Sequence, residues 1–137
     1  MAAGIRSYRD LIVWQKDMDL VSACYAVTKA FPATELFGLS DQIRRSAVSM
    51  VANIAEGHGR TGPGQFLYHL SVARGSLREL ETLLLASQRR GFGKSETHVV
   101  LAAAADEIAR MLFALGTRVA ASNAKGVPVS SALRPAT

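Results

Sequence analysis

Phe66, Leu70, Ala73, Leu77, Leu80 and Leu84 recur at intervals of three and four residues, the spacing of one buried face on a helix. A seam of that length commits the chain to partners, because most of an amphipathic helix's stability comes from whatever covers its apolar side. Three further segments of the same type are present, and no alternating run predicts a strand.

The first helix is predicted from about Tyr8 to Ala30. It has one seam of Leu11, Trp14, Met18, Val21, Tyr25 and Thr28, and a second beside it of Val13, Leu20, Cys24, Val27 and Phe31. Phe31-Pro32 ends it, since a residue before proline is driven out of the helical region. After a connection over 32–39, Ser40 is the expected N-cap of a second helix, with Asp41 in its first turn and Ile43, Ala47, Met50 and Ile54 inward. Gly57 is the expected stop, and the glycine-rich run to Gly64 a turn in which Thr61 caps and Pro63 opens the third helix. That helix ends near Gly91. A fourth starts near Ser95 and turns Leu101, Ala104, Ile108, Leu112, Leu115 and Val119 inward as far as Ser122. With 137 residues there is room for one domain. The expectation is an all-α, antiparallel up-down-up-down four-helix bundle over 1–122, followed by a flexible tail over 123–137 that lacks periodicity.

Sixteen Lys and Arg against eleven Asp and Glu leave a formal charge of +5, compatible with acidic partners. The excess concentrates in 63–94, where Arg74, Arg78, Arg89, Arg90 and Lys94 face only Glu79 and Glu81. Cys24 is the single cysteine, so no intrachain disulfide forms and a cytoplasmic location is expected. Lys16, Asp17 and Asp19 break up what would have to be a signal peptide. Asp106, Glu107, Arg110 and Arg118 likewise interrupt the apolar stretch from Val99 to Ala121, so no membrane partner is expected.

Gly57-His58-Gly59-Arg60-Thr61-Gly62 has the letters of a dinucleotide fingerprint, but a helix rather than a strand precedes it, and no cofactor is expected. Free N–H groups at the start of the third helix, with Arg60 beside them, are a weaker candidate for an anion. His58, His69 and His98 lack ligand spacing for a metal, and no serine has a visible base and acid, so no catalytic residue is assigned. The second helix bears a polar stripe of Ser46, Ser49, Asn53 and Glu56, preceded by Arg44 and Arg45. It reads either as a binding face or, preferably, as a network that fixes helix register, with Arg45 and Glu56 at the ends of ion pairs. On the third helix Arg78 and Glu81 are placed to satisfy each other, and Gly75 and Ser76 would let another helix approach. Arg89, Arg90 and Lys94 complement the helix dipole whatever else they do.

Val13-Trp14-Gln15, Phe31-Pro32 with Glu35, Phe37-Gly38-Leu39, Gln42-Ile43-Arg44-Arg45, Ser49, Asn53-Ile54-Ala55-Glu56-Gly57, Arg60, Ala73-Arg74-Gly75-Ser76 and Glu79-Leu80-Glu81 stand together in register. In this the chain, from about Tyr8 to Ala121, resembles the four-helix-bundle family encoded in intervening sequences of bacterial 23S ribosomal RNA genes. The resemblance implies a bacterial cytoplasmic protein that forms a ring-like homopentamer, has no known enzymatic activity, and uses Arg45, Ser49, Asn53, Glu56 and Gly57 architecturally. Many relatives carry proline where this chain has Val51, so the kink implied for the second helix loses its cause here. A related branch, the accessory proteins of diversity-generating retroelements, partners a reverse transcriptase and binds nucleic acid through a basic surface. By that resemblance RNA or DNA is the leading partner, with Arg74, Arg78, Arg89, Arg90 and Lys94 as one candidate contact set and Arg44 and Arg45 as another. A structural or adaptor oligomer that binds a protein partner is the alternative.

Overall fold

The seam from Phe66 to Leu84 lies on one continuous helix, and in the computed structural model, which describes residues 4–131 and residue 133, all six of its apolar residues are buried. Four helices carry the fold: α1 (Ile12–Lys29), α2 (Leu39–Gly59), α3 (Pro63–Arg89) and α4 (Ser95–Lys125). Short 3-10 turns stand at Tyr8–Asp10, Ala33–Glu35 and Val129–Ser131, and there is no strand among the described residues. Each helix packs against its neighbours in sequence and α1 also packs against α4, so the four close around a single core. No helix among the described residues is long and apolar enough to cross a membrane.

The helix count and the seams of α2, α3 and α4 agree with the sequence, except that Ala105 rather than Ala104 is the fully buried alanine of α4. The chain ends of α1 differ: a Ser7-capped turn over Tyr8–Asp10 precedes it, and α1 proper begins at Ile12. Its second seam is buried throughout, the first only at its ends, Leu11 and Thr28. Val13 and Cys24 are 0% exposed, whereas Met18 and Tyr25 of the first are 41% exposed. The face covered by both α2 and α4 includes one residue no apolar seam contains, Asp17, which is also 0% exposed.

Ser40 is not the cap of α2. Gly38 holds that position, Glu35 Oε1 accepts from the Leu39 N–H at 3.3 Å, and Ser40 is buried inside the helix. α2 passes Val51 without a break and does not stop at Gly57 but runs to Gly59. Gly57 is instead where α2 meets α3: a Cβ placed there would lie 2.7 Å from His69 Cβ and 3.1 Å from Phe66 Cδ1. Thr61 does not cap α3; Gly62 does, at φ 92°, a left-handed conformation that suits glycine, and Pro63 opens the helix as expected. Gly75, read as a point of close approach, has open space around it.

α4 outruns its expected end at Ser122 and stops at Gly126, whose φ of 67° provides a left-handed C-cap. Ser122 is buried, and its hydroxyl donates to the carbonyls of Val127 and Pro128 at 2.7 and 2.9 Å. Val129 and Leu133 then pack against the core, so the start of the segment read as a tail has a defined place on the bundle. Residue 132 and residues 134–137 of that segment lie outside the described residues.

Candidate nucleic-acid interface

The α1–α2 and α3–α4 connections meet at one end of the bundle. The Phe31 and Phe92 rings lie 5.6 Å apart, and a Cβ at Gly93, whose φ is 80°, would stand 3.1 Å from Val27 Cγ2. His98 is buried there, with Nε2 2.7 Å from the Phe92 carbonyl. This junction brings Arg89, Arg90 and Lys94 of the first predicted basic set to the same end as Arg44 and Arg45. Arg89, Arg90 and Lys94 are exposed on the α3–α4 side, Arg90 with its guanidinium 5.9 Å from the Phe92 ring centroid. On the α1–α2 side Arg44 is engaged: its Nε donates to Thr28 Oγ1 at 2.9 Å and its guanidinium covers the Tyr25 ring. Arg45 reaches out beside Asp41, 3.7 Å away. Exposed Lys29, in the last turn of α1, joins them and was not among the sequence candidates, although a cation at a helix C-terminus is a readable signal.

Arg74 and Arg78 are elsewhere. They line an open groove of about 310 Å³ between α3 and α4, with Leu77, Asp106, Ala109, Arg110 and Phe113. Arg78 pairs with Glu81 at 2.7 Å, as the sequence suggested, and Arg110 pairs with Asp106. Arg74 has no carboxylate partner among the described residues; its guanidinium sits 5.7 Å from the centroid of Phe113. Sequence reasoning missed Arg110 and Phe113. Asp106, Arg110 and Phe113 follow one another at four and three residues on the outer side of α4, a signal that was present.

The polar stripe of α2 is a clamp onto α3. Ser49 Oγ and Ser76 Oγ are 3.0 Å apart, and Asn53 Nδ2 donates to the Ser49 carbonyl at 2.8 Å. Asn53 Oδ1 therefore faces His69 Nδ1, at 3.0 Å, and since the amide oxygen only accepts, the imidazole carries its proton on Nδ1. Glu56 lies 3.9 Å from the same nitrogen and accepts from Arg60 at 2.6 Å, which holds its carboxyl below the usual range. Ser46 turns back onto its own helix, donating to the Ile43 carbonyl. Asn53→Ala is expected to cost about 1–2 kcal/mol in urea unfolding, because it strands the half-buried His69 N–H; an unchanged midpoint would remove the clamp from the account.

Arg60 is thus committed to Glu56 rather than free beside the start of α3, and Gly57-His58-Gly59 belongs to a helix. Among the described residues no group of three or more His, Cys, Asp or Glu could hold a metal ion. His58 packs edge-on to Phe66, and burial lowers its pKa.

The family described as 23S rRNA-intervening sequence protein matches residues 9–114. A solved structure from Bacteroides thetaiotaomicron VPI-5482, titled a protein with unknown function from the S23 ribosomal protein family, superimposes with a TM-score of 0.72 at 23% identity. The match covers 77% of this chain and 96% of that one. At that identity the likeness concerns the fold. No curated protein matches the chain.

Proposed function

The chain belongs to the 23S rRNA-intervening sequence protein family, and from that premise we propose that it is a non-enzymatic nucleic-acid-binding module of the cytoplasm. In this reading it is an antiparallel up-down bundle that acts as a homo-oligomer, a ring of five by resemblance. The observation that carries the reading is the basic end of the bundle, where Arg89, Arg90, Lys94, Lys29 and Arg45 are exposed on and beside two connections packed against each other. Repetition in a ring multiplies a modest charge: at +5 per chain, five copies carry about +25 and release counterions together on meeting phosphates. Exposed Leu85, Val99 and Val100, on α3 and α4, support self-association.

The test is a salt titration of nuclease-treated protein, its oligomer size fixed by light scattering, against labelled structured RNA and single-stranded DNA. Binding at low salt should weaken by about a thousandfold between ~50 and ~200 mM salt if six or more phosphates are neutralised. Charge reversal at Arg89, Arg90 and Lys94 should reduce that slope. No binding at low salt would overturn the proposal. The adaptor reading has its own support in the α1–α2 connection, where Phe37 is 90% and Leu36 50% exposed. A protein partner held there would stay bound after nuclease treatment.

A further inference from the structure

Two hollows adjoin along the outside of the α3–α4 pair. The groove of about 310 Å³ described above continues into a second of about 230 Å³ running past Ser71, Gly116 and Thr117, and both are lined by Arg74 and Phe113. Gly116 has nothing within 4 Å of where a Cβ would stand, which keeps the second hollow open. At the shared point a cation and an open ring already touch, the Arg74 guanidinium 5.7 Å from the Phe113 centroid. Phe113 is 62% exposed, and Arg74 is the guanidinium of the groove that no described carboxylate neutralises.

Resting on the nucleic-acid reading above, we propose that this groove takes an unpaired nucleotide of a single strand, its base stacked on the Phe113 ring and its flanking phosphate on Arg74. The chemistry selects that occupant. A bare anion would use Arg74 but has no need of an exposed ring, whereas an apolar peptide face would meet three guanidiniums in the first hollow. A nucleotide matches both halves, since every base has a face that stacks on an aromatic ring and every link carries a charge for arginine. Arg110 and Arg78, held by Asp106 and Glu81 at the rim, add positive potential without giving up their partners. The second hollow gives the strand a way onward, so the track runs along the bundle rather than across its basic end.

The test uses the full chain at constant low salt with labelled probes of about 16 nucleotides: oligothymidylate, oligouridylate, an abasic deoxyribose-phosphate strand of equal charge, and a duplex. The wild type should prefer the two base-bearing single strands to the abasic one, and the ribose and deoxyribose arms tell which strand type is taken. Phe113→Ala should weaken binding of the base-bearing strands by about fivefold or more, the lower range for one stacked base, and erase the preference over the abasic strand. Phe113→Tyr should keep the preference, and Arg74→Ala should weaken every single strand. Both side chains are exposed, so the variants should fold, and melting curves are the check. If Phe113→Ala retains the full preference for bases while charge reversal at Arg89, Arg90 and Lys94 abolishes binding, the groove is excluded and the nucleic-acid reading stands. If the wild type binds no probe, both fail together.

Discussion

Replacing Asp17 with leucine is expected to stabilise the fold by about 2 kcal/mol, an unusual direction for a substitution at a fully buried position. Both Asp17 carboxyl oxygens are buried without a hydrogen-bond partner, on the face of α1 that otherwise shows Val13, Leu20 and Cys24 to the core. Burial pushes its pKa up from 3.8 to about 8, so the folded protein keeps the proton at neutral pH while the unfolded chain has lost it. The sign follows from linkage. Below the unfolded value both states are protonated and the fold has its full stability. Between about pH 4 and 8 the folded state binds one proton more, so stability falls as pH rises, by about 1.4 kcal/mol per unit. Urea unfolding at two pH values, ~5 and ~7.5, should therefore show a loss of about 3 kcal/mol that Asp17→Asn does not share. His58, whose pKa is lowered by burial, works in the opposite sense below its ordinary value, and the comparison with Asp17→Asn removes its contribution. Equal slopes in the two proteins would mean that Asp17 is solvated or paired in solution.

Gly57→Ala should do the reverse, lowering stability by about 3 kcal/mol, which for a chain of this size is a fall of about 10 °C in Tm. The added methyl would meet His69 Cβ at 2.7 Å and Phe66 Cδ1 at 3.1 Å. Neither is the far end of a flexible side chain: one is fixed to the α3 backbone and the other belongs to a ring that is 2% exposed. Relief requires α2 and α3 to separate along the contact that carries the Asn53–His69 hydrogen bond. Gly75→Ala, with open space around it on α3, is the control and should hold or gain stability through the better helix propensity of alanine. Thermal melts of the two variants side by side decide the matter; a Gly57→Ala protein that melts like the wild type would mean the helices are further apart than described.

The two positions also mark where sequence reading stops. α3 was legible because six apolar residues keep one period and only one face is buried. α1 was not, because two apolar seams lie side by side and choosing between them needs the positions of α2 and α4. Asp17 was invisible for a related reason: an acid four residues after Val13 reads as solvent-facing until both sides of it are found covered. Gly57 looked like a stop, yet glycine both ends helices and lets them touch, and only the partner residues Phe66 and His69 distinguish the two uses. Among the candidate contacts, the clusters Arg44-Arg45 and Arg89-Arg90 with Lys94 were plain in the sequence. Their meeting at one end depends on the packing of Phe31 on Phe92, and the pairing of Arg74 with Phe113 depends on the register between α3 and α4.

Residues 60–62 are all that separate α2 from α3, whereas α1 and α4 come together only across the whole of α2 and α3. The entropy lost in closing a loop grows with its length, so the α2–α3 hairpin is the pairing this chain reaches at the lowest cost. Gly57, Asn53 and His69 all lie inside that hairpin. The contacts that set the register of α2 on α3 are therefore available during synthesis once Arg89 has been added, after the α1–α2 pair and before any of α4 exists to cover them.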